Sequence, residues 1–185
     1  MRVKLKEQSQ VLLLAVLFGI FCPGAQAASS GAYEVEAAFV HNIAKFVEWP
    51  ASVGAKGALR LCILGQGPFG KAAENLLRDK PIDNMVWSVV PVDTSANLRE
   101  CQVLFIESSE AGNLPRLLDS LKGSPILTVG NTGGYGEQGV IVNFYLEQDK
   151  VRFEINNDSA GRAGLKISSQ LLKLARIVRE AGGMK

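Results

Sequence analysis

Few residues in this chain belong to the kinds that do chemistry, and they lie far apart. Gly65-Gln-Gly67-Pro-Phe-Gly70 has the G-x-G-x-x-G spacing of a phosphate-cradling turn. In such a turn the glycines let backbone amides approach a pyrophosphate at a helix start. Asp93 lies near the end of the next apolar run, where a ribose-binding acid would be expected. Against this, Pro68 removes one of the amides, and Pro91 disturbs the strand end that carries Asp93. The glycines then serve a tight strand-to-helix turn, whose helix N-terminus could hold a small anion. His41 is the only histidine. It falls on the polar face of a helix and reads as solvated. A His/Cys metal site therefore lacks ligands, and no Gly-x-Ser-x-Gly elbow supplies a nucleophile for a triad. Glu107 and Glu110 flank Ser108-Ser109 and could work as paired carboxylates, but an acidic helix start suited to the dipole is the plainer reading. No nucleophile, base and oxyanion donor come together. The residues point away from an enzyme, with no cofactor, metal or catalytic site.

The remaining chemistry belongs to cysteine. Arg2, Lys4 and Lys6 precede an apolar run from Val11 to Phe21, and Ala25-Gln-Ala27 follows Pro23. Charged, apolar, then small is the order of a secretory signal peptide, with cleavage after Ala27. The apolar run is too short for a bilayer, which takes about 20 residues. No other stretch is long enough, so the expected mature chain carries no membrane span. Cleavage leaves 158 of the 185 residues, residues 28–185, which is one domain's length. It also leaves 17 basic and 17 acidic side chains. A near-neutral chain lacks the electrostatic basis for nucleic-acid binding. Of the three cysteines, Cys22 leaves with the signal. The pair Cys62 and Cys101 in an exported chain reads as a disulfide.

The elements that must position these residues alternate along the chain. Tyr33 to Trp49 reads as a helix with Val35, Phe39, Ile43 and Phe46 on its apolar face, ended by Pro50. Strands are expected at 58–64, 85–92, 102–106, 125–129, 140–146 and 150–155, with helices at 68–78 and 110–122. The short link Glu147-Gln-Asp-Lys150 joins the last two strands as an antiparallel hairpin. The expected fold is a single α/β domain. Its mixed, mostly parallel sheet of about six strands carries helices on both faces. After the hairpin, from Ala160, apolar residues at helical spacing predict one long buried helix running past Val178. On it Arg162, Lys166, Ser169, Lys173 and Arg176 would share one basic face. That face reads either as solvated or as a docking line for an acidic partner.

Two longer stretches are more specific. Ala38-Phe-Val-His-Asn-Ile-Ala-Lys-Phe-Val-Glu-Trp-Pro50 resembles the opening helix of the YfiR family of periplasmic proteins. Val142-Asn-Phe144, Val151-Arg-Phe-Glu-Ile-Asn156 and Arg162-Ala-Gly-Leu-Lys-Ile-Ser-Ser-Gln-Leu-Leu-Lys-Leu-Ala175 resemble its closing segment. Leu61-Cys-Ile-Leu-Gly65 and Cys101-Gln-Val-Leu-Phe-Ile106 fit its middle strands, and Cys62 and Cys101 match a family cysteine pair. The resemblance implies a periplasmic regulator that represses the sensor domain of an inner-membrane diguanylate cyclase, and so controls cyclic-di-GMP and biofilm. It further implies sequestration by an OmpA-like outer-membrane lipoprotein, and dimers. A second family cysteine pair near the closing hairpin has no counterpart here, and Gln138-Gly-Val140 stands where the family has Gly-Gly-Met. Asn156 and Ser168, polar among apolar neighbours, are expected to make structural hydrogen bonds. Tyr135, in the glycine-rich loop 131–138, is a candidate exposed anchor beside the basic line. The rival readings are a small-ligand-binding protein, using the Gly67–Gly70 helix start or a pocket near Tyr135, and a regulator of a sensor histidine kinase.

Overall fold

The computed structural model describes residues 24–50, 57–82 and 84–181. The expected signal segment thus lies outside the described residues up to position 23. Helix α1 (Gly24–Ala44) is followed by a two-residue strand β1 (Val47–Glu48). Then come β2 (Ala58–Leu64), α2 (Phe69–Leu77) and β3 (Val86–Val92). A 3-10 turn at Leu98–Glu100 precedes β4 (Val103–Ile106), and a second at Ser108–Asn113 runs into α3 (Leu114–Ser120). Strands β5 (Leu127–Gly130), β6 (Val142–Glu147) and β7 (Lys150–Asn156) follow.

Seven strands form the main sheet in the order β3-β2-β4-β5-β6-β7 and then β9 (Arg176–Val178). All neighbours are parallel except the β6–β7 hairpin. The mixed α/β architecture and the terminal hairpin are those read from the sequence, with one strand more. Pro91 is accommodated because β3 is an edge strand, where a missing amide costs no ladder bond. Side chains alternate between two cores. Leu61, Ile63, Val103, Phe105, Leu127 and Val129 face the α1–α2 side. Cys62, Leu64, Leu104, Ile106 and Ile126 face the α3 side. Phe69 of α2 stacks on Phe105, ring centroids 3.5 Å apart.

The long closing helix does not form. Its place is taken by four short pieces: α4 (Asn157–Arg162), β8 (Lys166–Ile167), α5 (Ser169–Leu172) and β9. Gly164 causes the first break. It sits at φ +73°, the left-handed conformation that glycine enters without a Cβ penalty. The Leu165 amide donates to Ala160 O and the Gly164 amide to Gly161 O, the paired bonds of a Schellman stop. Ser168 then restarts a helix, its Oγ accepting from the Leu171 amide at 3.3 Å. Between the two, β8 pairs antiparallel with β1, which ties the closing segment to the end of α1.

The expected apolar face of helix α1 holds in part: Ile43 is buried and Phe39 packs on Phe144 and Phe153, but the buried arc is wider and shifted. Val35 and Phe46 are exposed, at 44% and 38%. Ala37, Val40, Ile43 and Ala44 are buried, and with them Glu36 and His41. Small side chains at three- and four-residue spacing allow this face to pack closely. Among the described residues no helix is long and apolar enough to cross a membrane.

Candidate functional site

In open α/β sheets ligands bind beyond the carboxyl ends of the strands, where the strand order reverses. Here that point lies between β2 and β4, because the chain moves outward from β2 to β3 and then returns to β4 on the other side. The Gly65–Gly70 turn leaves β2 there, and Glu107 follows directly on β4.

The crevice is filled by the chain's own side chains. The Phe69 amide, at the start of α2, donates to Glu107 Oε1 at 3.2 Å. The Gln66 amide donates to Ser109 Oγ at 2.8 Å. A Cβ at Gly67 would lie 2.0 Å from Glu107 Oε2, so this glycine is needed to admit the carboxylate, not a phosphate. The anion that the helix start attracts is therefore internal. Burial raises the Glu107 carboxyl above its ordinary range, and the bond from Phe69 opposes the rise. Asp93 takes no part. It is exposed and accepts from the Ser95 amide at 2.8 Å, a local turn contact.

Two further contacts, one from Tyr135 and one from Glu36, close the same region. Tyr135 is fully buried, and its hydroxyl donates to Glu107 O at 3.2 Å. The exposed anchor expected from its glycine-rich loop is corrected: tight turns fold the loop inward and carry the ring into the α3-side core. Asn131 Nδ2 donates to Glu36 Oε2 at 3.0 Å, which bridges α1 to the end of β5. Burial pushes the Glu36 carboxyl up to about 7, the Asn131 amide works against the rise, and the charge of Glu107 adds to it. His41 is likewise not solvated. It is 8% exposed, and its Nδ1 accepts from Trp87 Nε1 at 3.0 Å. Desolvation first, then Lys45 and Lys80, lower its pKa. It acts as the acceptor for a core indole.

The basic line is dispersed along with the helix that was to carry it. Arg162 contacts Ser159 and Glu180. Lys166 reaches Glu48 across the β1–β8 pair at 3.9 Å. Ser169 and Lys173 sit at opposite ends of α5, both exposed. Arg176 lies on β9, where Nε donates to Glu154 Oε2 at 3.0 Å and the guanidinium covers the Tyr145 ring at 4.0 Å. These residues belong to four different elements and share no face. Glu154 itself is 1% exposed and also accepts from Asn143 Nδ2 at 2.9 Å.

Asn156 is fully buried at the end of β7. Its Nδ2 donates to Gly136 O at 2.9 Å, and its Oδ1 accepts from the Ser159 amide at 3.0 Å. One side chain thus fixes the glycine-rich loop and starts α4. Ser168 caps α5 as described. Cys62 and Cys101 are joined in a disulfide, with Cα atoms 5.8 Å apart and both residues buried in the α3-side core. Among the described residues no group of three or more His, Cys, Asp and Glu side chains is placed to hold a metal ion.

The sequence alone did not single out Glu36 or Glu154, and Glu107 reads there as part of an acidic helix start. Two of the three leave a trace: Glu36 is in helical phase with Val40, Ile43 and Val47, and Glu107 directly follows an unbroken apolar strand.

A family profile described as YfiR/HmsC-like matches residues 33–176. Among solved structures, a conserved domain protein from Vibrio cholerae O1 biovar eltor is similar, with a TM-score of 0.55 at 12% identity. So is an ABC domain in complex with L-Trp from Streptococcus pneumonia, with a TM-score of 0.53 at 10% identity. Each alignment covers 80% of this chain and 60% of the other, so this chain spans less than two thirds of their length. The likeness is one of fold.

Proposed function

The chain belongs to the YfiR/HmsC-like family, and from that premise we propose that it is a periplasmic regulator without catalytic activity. It binds the sensor domain of an inner-membrane diguanylate cyclase and holds cyclic-di-GMP synthesis down, with biofilm formation as the downstream readout. The observation that carries this reading is the family match, which runs from α1 to β9 and includes the crevice and the closing segment. Recognition in preference to turnover is supported by what the reactive groups already do: His41 holds Trp87, Glu107 holds the start of α2, and Glu36 holds Asn131. Export is supported by the charged, apolar and small order of the first 27 residues. The buried disulfide fits an oxidising compartment. An OmpA-like outer-membrane lipoprotein is the proposed competitor for the chain.

Deletion of the gene is expected to raise cellular cyclic-di-GMP, and the tagged protein to capture a cyclase from solubilised inner membranes. Unchanged cyclic-di-GMP, with no cyclase captured, would overturn the reading. Capture of a sensor histidine kinase instead would transfer the regulatory role to that enzyme class.

A further inference from the structure

A cleft of about 530 Å3 opens on the α3 side of the sheet, away from the filled crevice. Small-molecule sites typically enclose roughly 300–1,000 Å3. The cleft exists because β5 and β6 pair only at Val129–Val142 and Gly130–Asn143. Before those residues the strands part, and Thr128 Oγ1 accepts from the Ile141 amide at 3.0 Å in place of a ladder bond. Leu118, Leu121, Ile126, Ile141 and Ala163 give the cleft an apolar lining.

One end of it is an anion seat. Ser159, 6% exposed, donates its hydroxyl to Glu180 Oε1 at 3.2 Å. Arg162 Nη2 contacts the same oxygen and also donates to Ser159 Oγ at 2.9 Å. Two donors therefore converge on one carboxylate at the end of an apolar cleft, and that carboxylate belongs to the chain's last described segment. Beside it, the Ala181 amide donates to Glu137 O at 3.0 Å. At the other end Lys122 is paired with Asp119 at 2.6 Å, so its charge is already answered. The arrangement has one seat for one negative group.

We propose that this cleft binds a small monocarboxylate with an apolar body. The ligand's carboxylate replaces that of Glu180 on Arg162 and Ser159, and its body covers Ile126, Ile141 and Ala163. The seat suits a planar two-oxygen group, which a guanidinium recognises by geometry as well as charge. The site is independent of the regulatory reading and is tested on the purified protein without a partner.

Octanoate is the probe, followed by calorimetric titration, with octylamine as the control of equal length and opposite head group. Octanoate is expected to bind saturably, one per chain, and octylamine not to bind. Glu180→Gln removes the internal competitor and should tighten octanoate by about threefold, the scale of an exposed ion pair. Arg162→Met should weaken it by about tenfold, the scale of a hydrogen bond to a charged group. Ser159→Ala should weaken it in the same direction and serves if Arg162→Met does not fold. Methyl resonances of Ile126 and Ile141 should shift on binding. The proposal is overturned if octanoate fails to bind even Glu180→Gln. Equal binding by wild type and variants, equal binding of octylamine, or methyl shifts confined to other residues would overturn it as well.

Discussion

Glu36 shows most directly what individual side chains do here. Its carboxylate faces Asn131 with 6% of its surface exposed, and its pKa is pushed up to about 7 by that burial. The folded state therefore favours the protonated acid, whereas the unfolded chain ionises near 4.5, as an ordinary glutamate does. A raised acid pKa adds stability that is fully present below about 4.5 and is lost as pH rises through about 7. The size of that loss is roughly 3 kcal/mol at 1.36 kcal/mol per unit. Glu36→Gln keeps an acceptor for Asn131 and cannot ionise. Urea unfolding should find it more stable than wild type at pH 8 and similar at pH 4.5. Equal stability at both pH values would contradict this account of α1. His41 has the opposite sign, since a lowered histidine pKa favours folding at high pH and costs stability on acidification.

At the scale of elements, the closing segment carries the sharpest expectation. Arg176 brings β9 onto β7 by meeting a carboxylate, Glu154, that is almost wholly buried. Arg176→Met leaves that charge to Asn143 alone. It should cost roughly 2 kcal/mol, discounted from the figure for a fully buried pair because Arg176 is half exposed. Hydrogen exchange in β9 should accelerate before the rest of the sheet. The double variant Arg176→Met with Glu154→Gln should recover most of the loss; failure to recover would remove the ion pair as the cause. The same segment marks where the sequence misleads. The strands and the hairpin were legible because periods of two and continuous apolar runs persist through them. The closing helix was misread because Leu165, Ile167, Leu171, Leu172 and Leu174 satisfy a helical period by composition alone. The information against it lay in Gly164 as a stop and Ser168 as a cap, two single-residue signals outweighed by the count of leucines. In α1 helical spacing puts Val35, Phe39, Ile43 and Phe46 on one face; Phe39 and Ile43 do pack on the core, but the helix stops at Ala44 before Phe46, and close packing also buries Ala37, Val40 and Ala44 and takes Glu36 and His41 inward with them. Tyr135 was misplaced for a related reason: a glycine-rich loop suggested exposure, and local turns reversed its direction.

For the whole molecule the disulfide is the main long-range constraint. It joins β2 to the approach to β4 across the point where the sheet reverses, with the cysteines 39 positions apart in sequence. The loop it closes contains α2 and the edge strand β3. By the chain-entropy argument such a closure is worth about 4 kcal/mol, since the unfolded chain loses the freedom that the bond removes. Replacing both cysteines by serine should lower the unfolding free energy by that order in urea titrations. A change below about 1 kcal/mol would contradict this account of the bond. With both sulfurs buried, reduction of the native protein should be slow and limited by opening of the α3-side core.

β9 supplies three residues to the outer rim of β7 and follows every other strand of that sheet in chain order. A polypeptide made first residue first therefore delivers those three after the other six strands. Until then the outer rim of β7 has no neighbour, and Glu154 waits for its cation. A nascent copy arrested just short of Arg176 would present an open, adhesive border to any passing strand. Quality-control proteases would meet that border first.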